Sequence, residues 1–223
     1  MEQLKNDRGD GTMEKLLTAA IGVFGQHGFH GATTRMLTEA AGVNQQAIPY
    51  YFGGKEGLYI ATAELIGAGM ADRIGAAAKK VTRVLARADE VGEPVSPGEA
   101  RRVLTKFLQA FSEIVVSDEA EAWAGFIFRE QMAPTEAIER IYRAAMGPML
   151  GMVNRLVGVL LSKDPASERV RLRTLSLIGG IVVFRMSRAT ALRLLEWEAI
   201  GPRESHALRA HVADLVKSIS HAT

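Results

Sequence analysis

The chain has 223 residues, 48% of them hydrophobic and 23% charged, with a formal net charge of +2. That is enough chain to bury a core in one large or two small domains, and the composition excludes a disordered polymer. The absence of cysteine excludes a disulfide framework and any thiolate metal site.

Charge gives no signal of a nucleic-acid partner in bulk. In the first 56 residues Lys5, Arg8, Lys15, Arg35 and Lys55 are balanced by Glu2, Asp7, Asp10, Glu14, Glu39 and Glu56. DNA would have to be held by a few placed cations, polar side chains and helix N-termini rather than by a broad basic patch. The opening residues lack the apolar stretch of a signal peptide, and the longest apolar run, around Gly179 to Phe184, is too short to span a bilayer. The expectation is a cytoplasmic protein with no membrane partner.

Residues 1–12 are polar and contain glycine, which predicts a flexible arm: either a loose tail or a minor-groove arm of the homeodomain kind. From Met13, Leu16, Leu17, Ala20, Val23 and Phe24 recur with helical spacing, and Gly28 is a natural C-cap. Thr33 or Thr34 offers the N-cap of a second helix with Leu37, Ala40 and Ala41 inward, and Gly42 can take the positive φ of a tight turn. A third helix is predicted from Asn44, placing Ile48 and Phe52 on one face and leaving Gln45, Gln46, Pro49 and Tyr50 on others.

Gly53 and Gly54 close that helix, and Lys55 to about Ala88 reads as one long helix with Leu58, Ala61, Leu65 and Ile66 on its apolar stripe. Residues 89–98 hold two prolines and two glycines and predict a loop. Further helices are expected over 99–117, 119–132, 135–161, 166–195 and 203–220, divided by Pro134, Asp164-Pro165 and Gly201-Pro202. No strand alternation of useful length occurs. The fold class is therefore all-α with about nine helices: the arm, a three-helix helix-turn-helix domain over 13–57, and a helical bundle over 58–223.

A helix, a glycine turn and a second short helix can place one helix in the major groove while the other braces on the backbone, but packed helical hairpins share that pattern. The residue detail goes further. Phe24 to Gly28 at the end of the first helix, the threonines opening the second, the turn Ala40-Ala-Gly-Val43, Tyr50-Tyr-Phe52 and Gly54-Lys-Glu56 together resemble, without a gap from Met13 to Leu58, the DNA-binding signature of the TetR family of regulators. Downstream, Phe126 to Thr135 is similar to the C-terminal domain of the CecR-type branch of that family.

The resemblance implies a DNA-binding set of Thr33, Thr34, Arg35, Gln45, Gln46, Ala47, Pro49, Tyr50, Tyr51 and Lys55. The chemistry at each position allows it. Thr33 and Thr34 sit where a hydroxyl and free amides favour a phosphate, although a plain N-cap needs the same hydroxyl. Arg35 can reach a phosphate or a guanine edge, or stay solvated. A glutamine amide can pair bidentately with adenine. Tyr50 and Tyr51 match the family's phosphate-anchoring pair, with packing as the other reading of Tyr51, and Lys55 matches its phosphate-binding lysine. Pro49 departs from an ordinary recognition helix: it removes an amide hydrogen bond and disfavours helical geometry at Ile48, so an irregular first turn that shifts the glutamines is expected. Its ring can touch a thymine methyl.

One short recognition helix cannot supply specific affinity, so double-stranded operator DNA implies a homodimer. The predicted interface is the last two long helices, 166–195 with Leu172, Leu175, Ile178, Val182, Met186 and Leu192, and 203–220 with Leu208, Val212, Leu215 and Ile219. For an unknown small-molecule effector the candidates are Phe107, Phe111, Trp123, Phe126, Arg129, Tyr142 and Met146. Each can equally be core, and Arg129 and Glu130 can equally be buried structure. By the resemblance, effector binding shifts the helix after Lys55, lowers operator affinity and makes the protein a repressor.

The five histidines show no metal-ligand spacing, and no GxSxG, phosphate-binding loop or GxGxxG occurs. No enzyme, cofactor or metal is expected. The rival reading is a helical ligand-binding or scaffolding protein whose helix-turn-helix is packed core, which the near-neutral N-terminal charge favours.

Overall fold

The computed structural model describes residues 2–219, with side chains from residue 11 onward, and every regular element among them is helical. The arm expected over residues 1–12 lies, for its first ten side chains, outside the described residues. The helices are α1 (Glu2–Gly31), α2 (Thr34–Ala41), α3 (Ala47–Phe52), α4 (Lys55–Val91), α5 (Pro97–Val116), α6 (Asp118–Met132) and α7 (Glu136–Ile141). A π-helical turn (Tyr142–Met146) leads into α8 (Gly147–Leu161), followed by α9 (Glu168–Met186), α10 (Arg188–Leu194) and α11 (Pro202–Lys217). The chain divides into two compact units, Met1–Met70 with Asp118–Ala145, and Ala71–Ser117 with Met146–Thr223.

In the first unit, α1 turns the stripe Leu16, Ala20 and Phe24 inward, where Leu37 of α2, Ile48 of α3 and Leu58 of α4 are also fully buried. Each of these leucine, isoleucine and phenylalanine side chains contributes about 1.5–3 kcal/mol relative to exposure. Helix α6 packs along α1 at backbone distance: a Cβ on Gly125 would stand 3.0 Å from the Gly25 carbonyl oxygen. Glycine is required there by contact rather than by torsion.

In the second unit α5 packs against α8, α9 and α11. Its buried stripe Ala100, Val103, Leu104, Phe107, Leu108 and Phe111 meets a core to which α8 adds Met149, Val153, Leu156, Val157 and Leu160. The stretch Glu136–Leu161 is long and apolar enough to cross a bilayer, and 44% of its apolar window is buried within the protein.

Among the described residues the expected nine helices become eleven because two long predictions are divided. The span 135–161 is interrupted by the π turn, and 166–195 breaks at Ser187, where α9 and α10 meet at 91°. Neither glycine nor proline stands at that bend, so the periodicity runs through it. Helix α5 starts two residues early because Pro97 at the first helical position needs no amide partner, while Ser96 accepts from the Glu99 amide at 3.3 Å.

The hydroxyl of Thr174, on the buried side of α9, is itself buried and has no hydrogen-bond partner among the described residues. Thr174→Val keeps its shape and removes the desolvated hydroxyl, so it is expected to raise stability by about 1 kcal/mol in chemical denaturation.

Candidate nucleic-acid interface

The helix-turn-helix is built by local capping. Thr33 is the N-cap of α2, its Oγ1 accepting from the Met36 amide at 3.2 Å, and Gly42 ends the helix at φ 64° with its amide on the Glu39 and Thr38 carbonyls. Thr38 is buried and returns its hydroxyl to the Thr34 and Arg35 carbonyls at 3.0 and 3.1 Å. Exposed Arg35 donates from Nε to Glu39 at 2.7 Å, and this pair holds its guanidinium above the usual arginine range. An exposed pair of this kind is weak, so Arg35 can exchange it for a phosphate at little cost.

Helix α3, the expected recognition helix, begins at Ala47 rather than Asn44. The Asn44 carboxamide accepts from the Gln46 amide at 3.0 Å, closing an Asx turn that carries Gln45 and Gln46 ahead of the helix. Pro49 is then the third helical residue, where the amide it lacks would be unpaired in any case, and Tyr50 N bonds Gln46 O at 3.2 Å. The glutamines are thus set ahead of the helix by the Asx turn at Asn44 rather than by an irregular first turn at Pro49.

Thr33, Thr34, Arg35, Gln45, Gln46, Pro49 and Tyr50 are all exposed, Ala47, Tyr51 and Lys55 half-buried, and Ile48 fully buried. Tyr50 is 80% exposed and touches Tyr51 edge-on at 4.8 Å. One polar and aromatic surface is thus left open on α3 and the first turn of α2, while the apolar side of α3 is spent on the core.

Lys55 is placed differently from a free phosphate ligand. Its Nζ donates to the carbonyls of Phe29 and Ala32 at 2.9 and 3.0 Å and lies 4.4 Å from the Phe29 ring centre. It ties α4 to the turn that follows the kink at Gly28 (φ 70°, ψ 177°) in α1, with one ammonium proton left over. Lys55→Ala is therefore expected to cost about 1–2 kcal/mol of fold stability in addition to operator affinity. Thermal melting of the DNA-free protein separates the two losses.

Residues 16–62 match the family model for bacterial regulatory proteins of the tetR family. Residues 100–223, more than half of the chain, match that of the HTH-type transcriptional dual regulator CecR, C-terminal domain. The chain is a TetR-family transcriptional regulator with a CecR-type C-terminal domain. It is 28% identical over 205 residues to the dual regulator CecR of Shigella flexneri, covering 92% of this chain and 89% of that protein. The repressor AcnR of Corynebacterium glutamicum is 38% identical over 72 residues, 32% of this chain and 38% of its own. The fold is shared with HlyIIR, a hemolysin II transcriptional regulator, at a TM-score of 0.63 and 16% identity, covering 96% of this chain and 99% of that one.

Within this TetR-family regulator the effector candidates are dispersed. Phe107 and Phe111 belong to the second unit, buried and stacked on each other at 6.2 Å. Met146, in the same unit, is half-buried. In the first unit Phe126 is buried 4.7 Å from the Tyr59 ring, Trp123 lies against Gly69, and Tyr142 is exposed. Arg129 donates from Nε to the Gly25 carbonyl at 2.9 Å and from Nη2 to that of Gln26. Glu130 is 2% exposed and accepts from Tyr59 Oη at 2.6 Å, Thr135 N at 3.0 Å and Ile138 N at 3.1 Å.

Sequence reasoning missed the cleft that Arg129 borders. It occupies about 540 Å³ and is lined by His27, Phe29, His30, Phe128 and Met132 among others. The available sign was the pair Gly25 and Gly125, whose need for close approach brings α1 and α6 together.

Proposed function

We propose that this regulator binds a palindromic operator as a homodimer, represses from it, and is released by a small molecule. The observation that carries the reading is the open face of α3, where Tyr50 is 80% exposed two residues from fully buried Ile48. Thr33, Thr34, Arg35, Gln45, Gln46, Ala47, Pro49, Tyr50, Tyr51 and Lys55 form the contact set: phosphate anchors at the threonines, tyrosines and lysine, base readers at the glutamines. The assignment of residues 13–57 to DNA and 58–223 to effector and dimer follows the same division of labour.

Dimerisation is supported by α9, whose inward side is Val170, Thr174, Leu177 and Ile181, while Leu172, Leu175, Val183 and Met186 remain exposed along the opposite stripe. Such an uncovered apolar stripe marks an association surface. Repression follows the name of AcnR, and a cytoplasmic site of action follows from a DNA target. The rival scaffolding reading is set aside by membership of a family of DNA-binding regulators.

The test is retardation of DNA from the protein's own promoter over a salt series. Specific, steeply salt-dependent binding that a ligand from a thermal-shift screen weakens is expected. Binding indifferent to sequence, or unaffected by every ligand that raises the melting temperature, overturns it.

A further inference from the structure

The cleft of about 540 Å³ between the end of α1 and the end of α6 is of the size that holds a small ligand. Its chemistry is two-sided. Phe128 and Met132 are 50% and 73% exposed, with Phe29 beside them, an apolar wall that water covers poorly. Opposite in character are the exposed guanidinium of Arg129 and the imidazoles of His27 and His30.

The one carboxylate on the lining, Glu130, is already committed to Tyr59, Thr135 and Ile138. Arg129 is committed only to neutral acceptors, the carbonyls of Gly25 and Gln26, and its Nη1 makes no hydrogen bond among the described residues. Gly28 lies beside that nitrogen, with a Cβ built there coming to 3.4 Å from it, an ordinary contact distance.

We propose that this cleft binds an amphipathic monocarboxylate, tail on Phe128 and Met132, and that the carboxylate draws Arg129 away from the Gly25 and Gln26 carbonyls. This deepens, and rests on, the effector-released reading above. A carboxylate competes with the carbonyls because it brings a full opposite charge and two oxygens spaced for a bidentate pair with the guanidinium, which no single neutral carbonyl offers. The consequence reaches the helix-turn-helix through contact. The clamped carbonyls lie in the last turn of α1 before its kink, and Phe29 just beyond the kink accepts from Lys55 and packs on Tyr59, 5.1 Å between ring centres. With Gly25 and Gly125 at backbone contact, α6 cannot shift without moving α1.

The experiment uses the full-length protein with sodium octanoate, and octanol as the uncharged probe of the same tail. Backbone amide resonances of Gly25, Gly28 and Gly125 are followed in the DNA-free protein. Octanoate is expected to shift them saturably, octanol to bind at least tenfold more weakly, and Arg129→Gln to lose at least tenfold in octanoate affinity. Phe128→Glu, at an exposed position, is expected to do the same and decides the matter if Arg129→Gln fails to fold. On a promoter duplex, octanoate should weaken wild-type binding at least tenfold and leave Arg129→Gln unchanged.

Absence of saturable shifts, equal binding of octanol, octanoate affinity unchanged by the variants, or operator affinity indifferent to octanoate overturns the proposal. If the wild type binds no operator, the functional reading fails, and the DNA-free titration still decides whether the carboxylate site exists.

Discussion

Replacement of Tyr50 by alanine is expected to abolish operator retardation while leaving the melting temperature of the free protein essentially unchanged. The side chain is 80% exposed and, among the described residues, its one ring contact is the edge of Tyr51 at 4.8 Å, so the fold loses within about 0.5 kcal/mol, as at other surface positions. A hydrogen bond to a charged phosphate contributes about 1.5–3 kcal/mol, and a dimer loses two at once, which places the fall in affinity on the order of a hundredfold or more. Anisotropy titration of a labelled promoter duplex beside a thermal melt reads both quantities. A variant with intact affinity, or one whose affinity falls only because its fold is lost, contradicts the placement of Tyr50 on DNA. Lys55→Ala is the informative contrast, since its ammonium holds the Phe29 and Ala32 carbonyls and its loss must appear in both measurements.

The largest expected loss of stability is at Glu130. Its carboxylate is 2% exposed and accepts from the Tyr59 hydroxyl, the Thr135 amide and hydroxyl, and the Ile138 amide. Glu130→Leu leaves the buried Tyr59 hydroxyl without its acceptor and the part-buried Thr135 and Ile138 amides without theirs, and is expected to cost about 2–4 kcal/mol, a large part of the stability of an ordinary domain. Chemical denaturation checks it, and a variant within 1 kcal/mol of the wild type contradicts the role assigned to the network. A pH signature accompanies it. Burial first, then the hydrogen bond to Glu130 and its charge, pushes the Tyr59 phenol well above its usual value, with Arg129 opposing weakly. The unfolded chain ionises first, so this contribution is fully present below a pH of about 10 and is lost as pH rises further. Tyr59→Phe should flatten that alkaline fall in stability.

What could be read from the sequence was whatever is decided within a few residues. Thr33 as N-cap, Gly42 in the left-handed region and the positive φ of Gly28 follow from the chemistry of a helix end. So does the exposure of Gln45, Gln46 and Tyr50 opposite Ile48. What could not be read was decided by partners far along the chain. Lys55 meets carbonyls 23 and 26 residues away, and Arg129 meets carbonyls 103 and 104 residues away, distances at which periodicity carries no information. The aromatic residues fared similarly. Phe107 and Phe126 are both buried core residues yet belong to different compact units, which their shared aromatic chemistry does not announce. The bend at Ser187 had no glycine or proline to announce it.

The central claim is specific recognition of a two-fold-related DNA site by the exposed face of α3. Footprinting of the purified protein on DNA upstream of its own coding sequence tests it most directly. The prediction is one protected palindrome at low protein concentration, its half-sites about one helical turn or a multiple apart, and absent with Tyr50→Ala. Uniform protection along the fragment, or none at concentrations where the protein is folded, would contradict it.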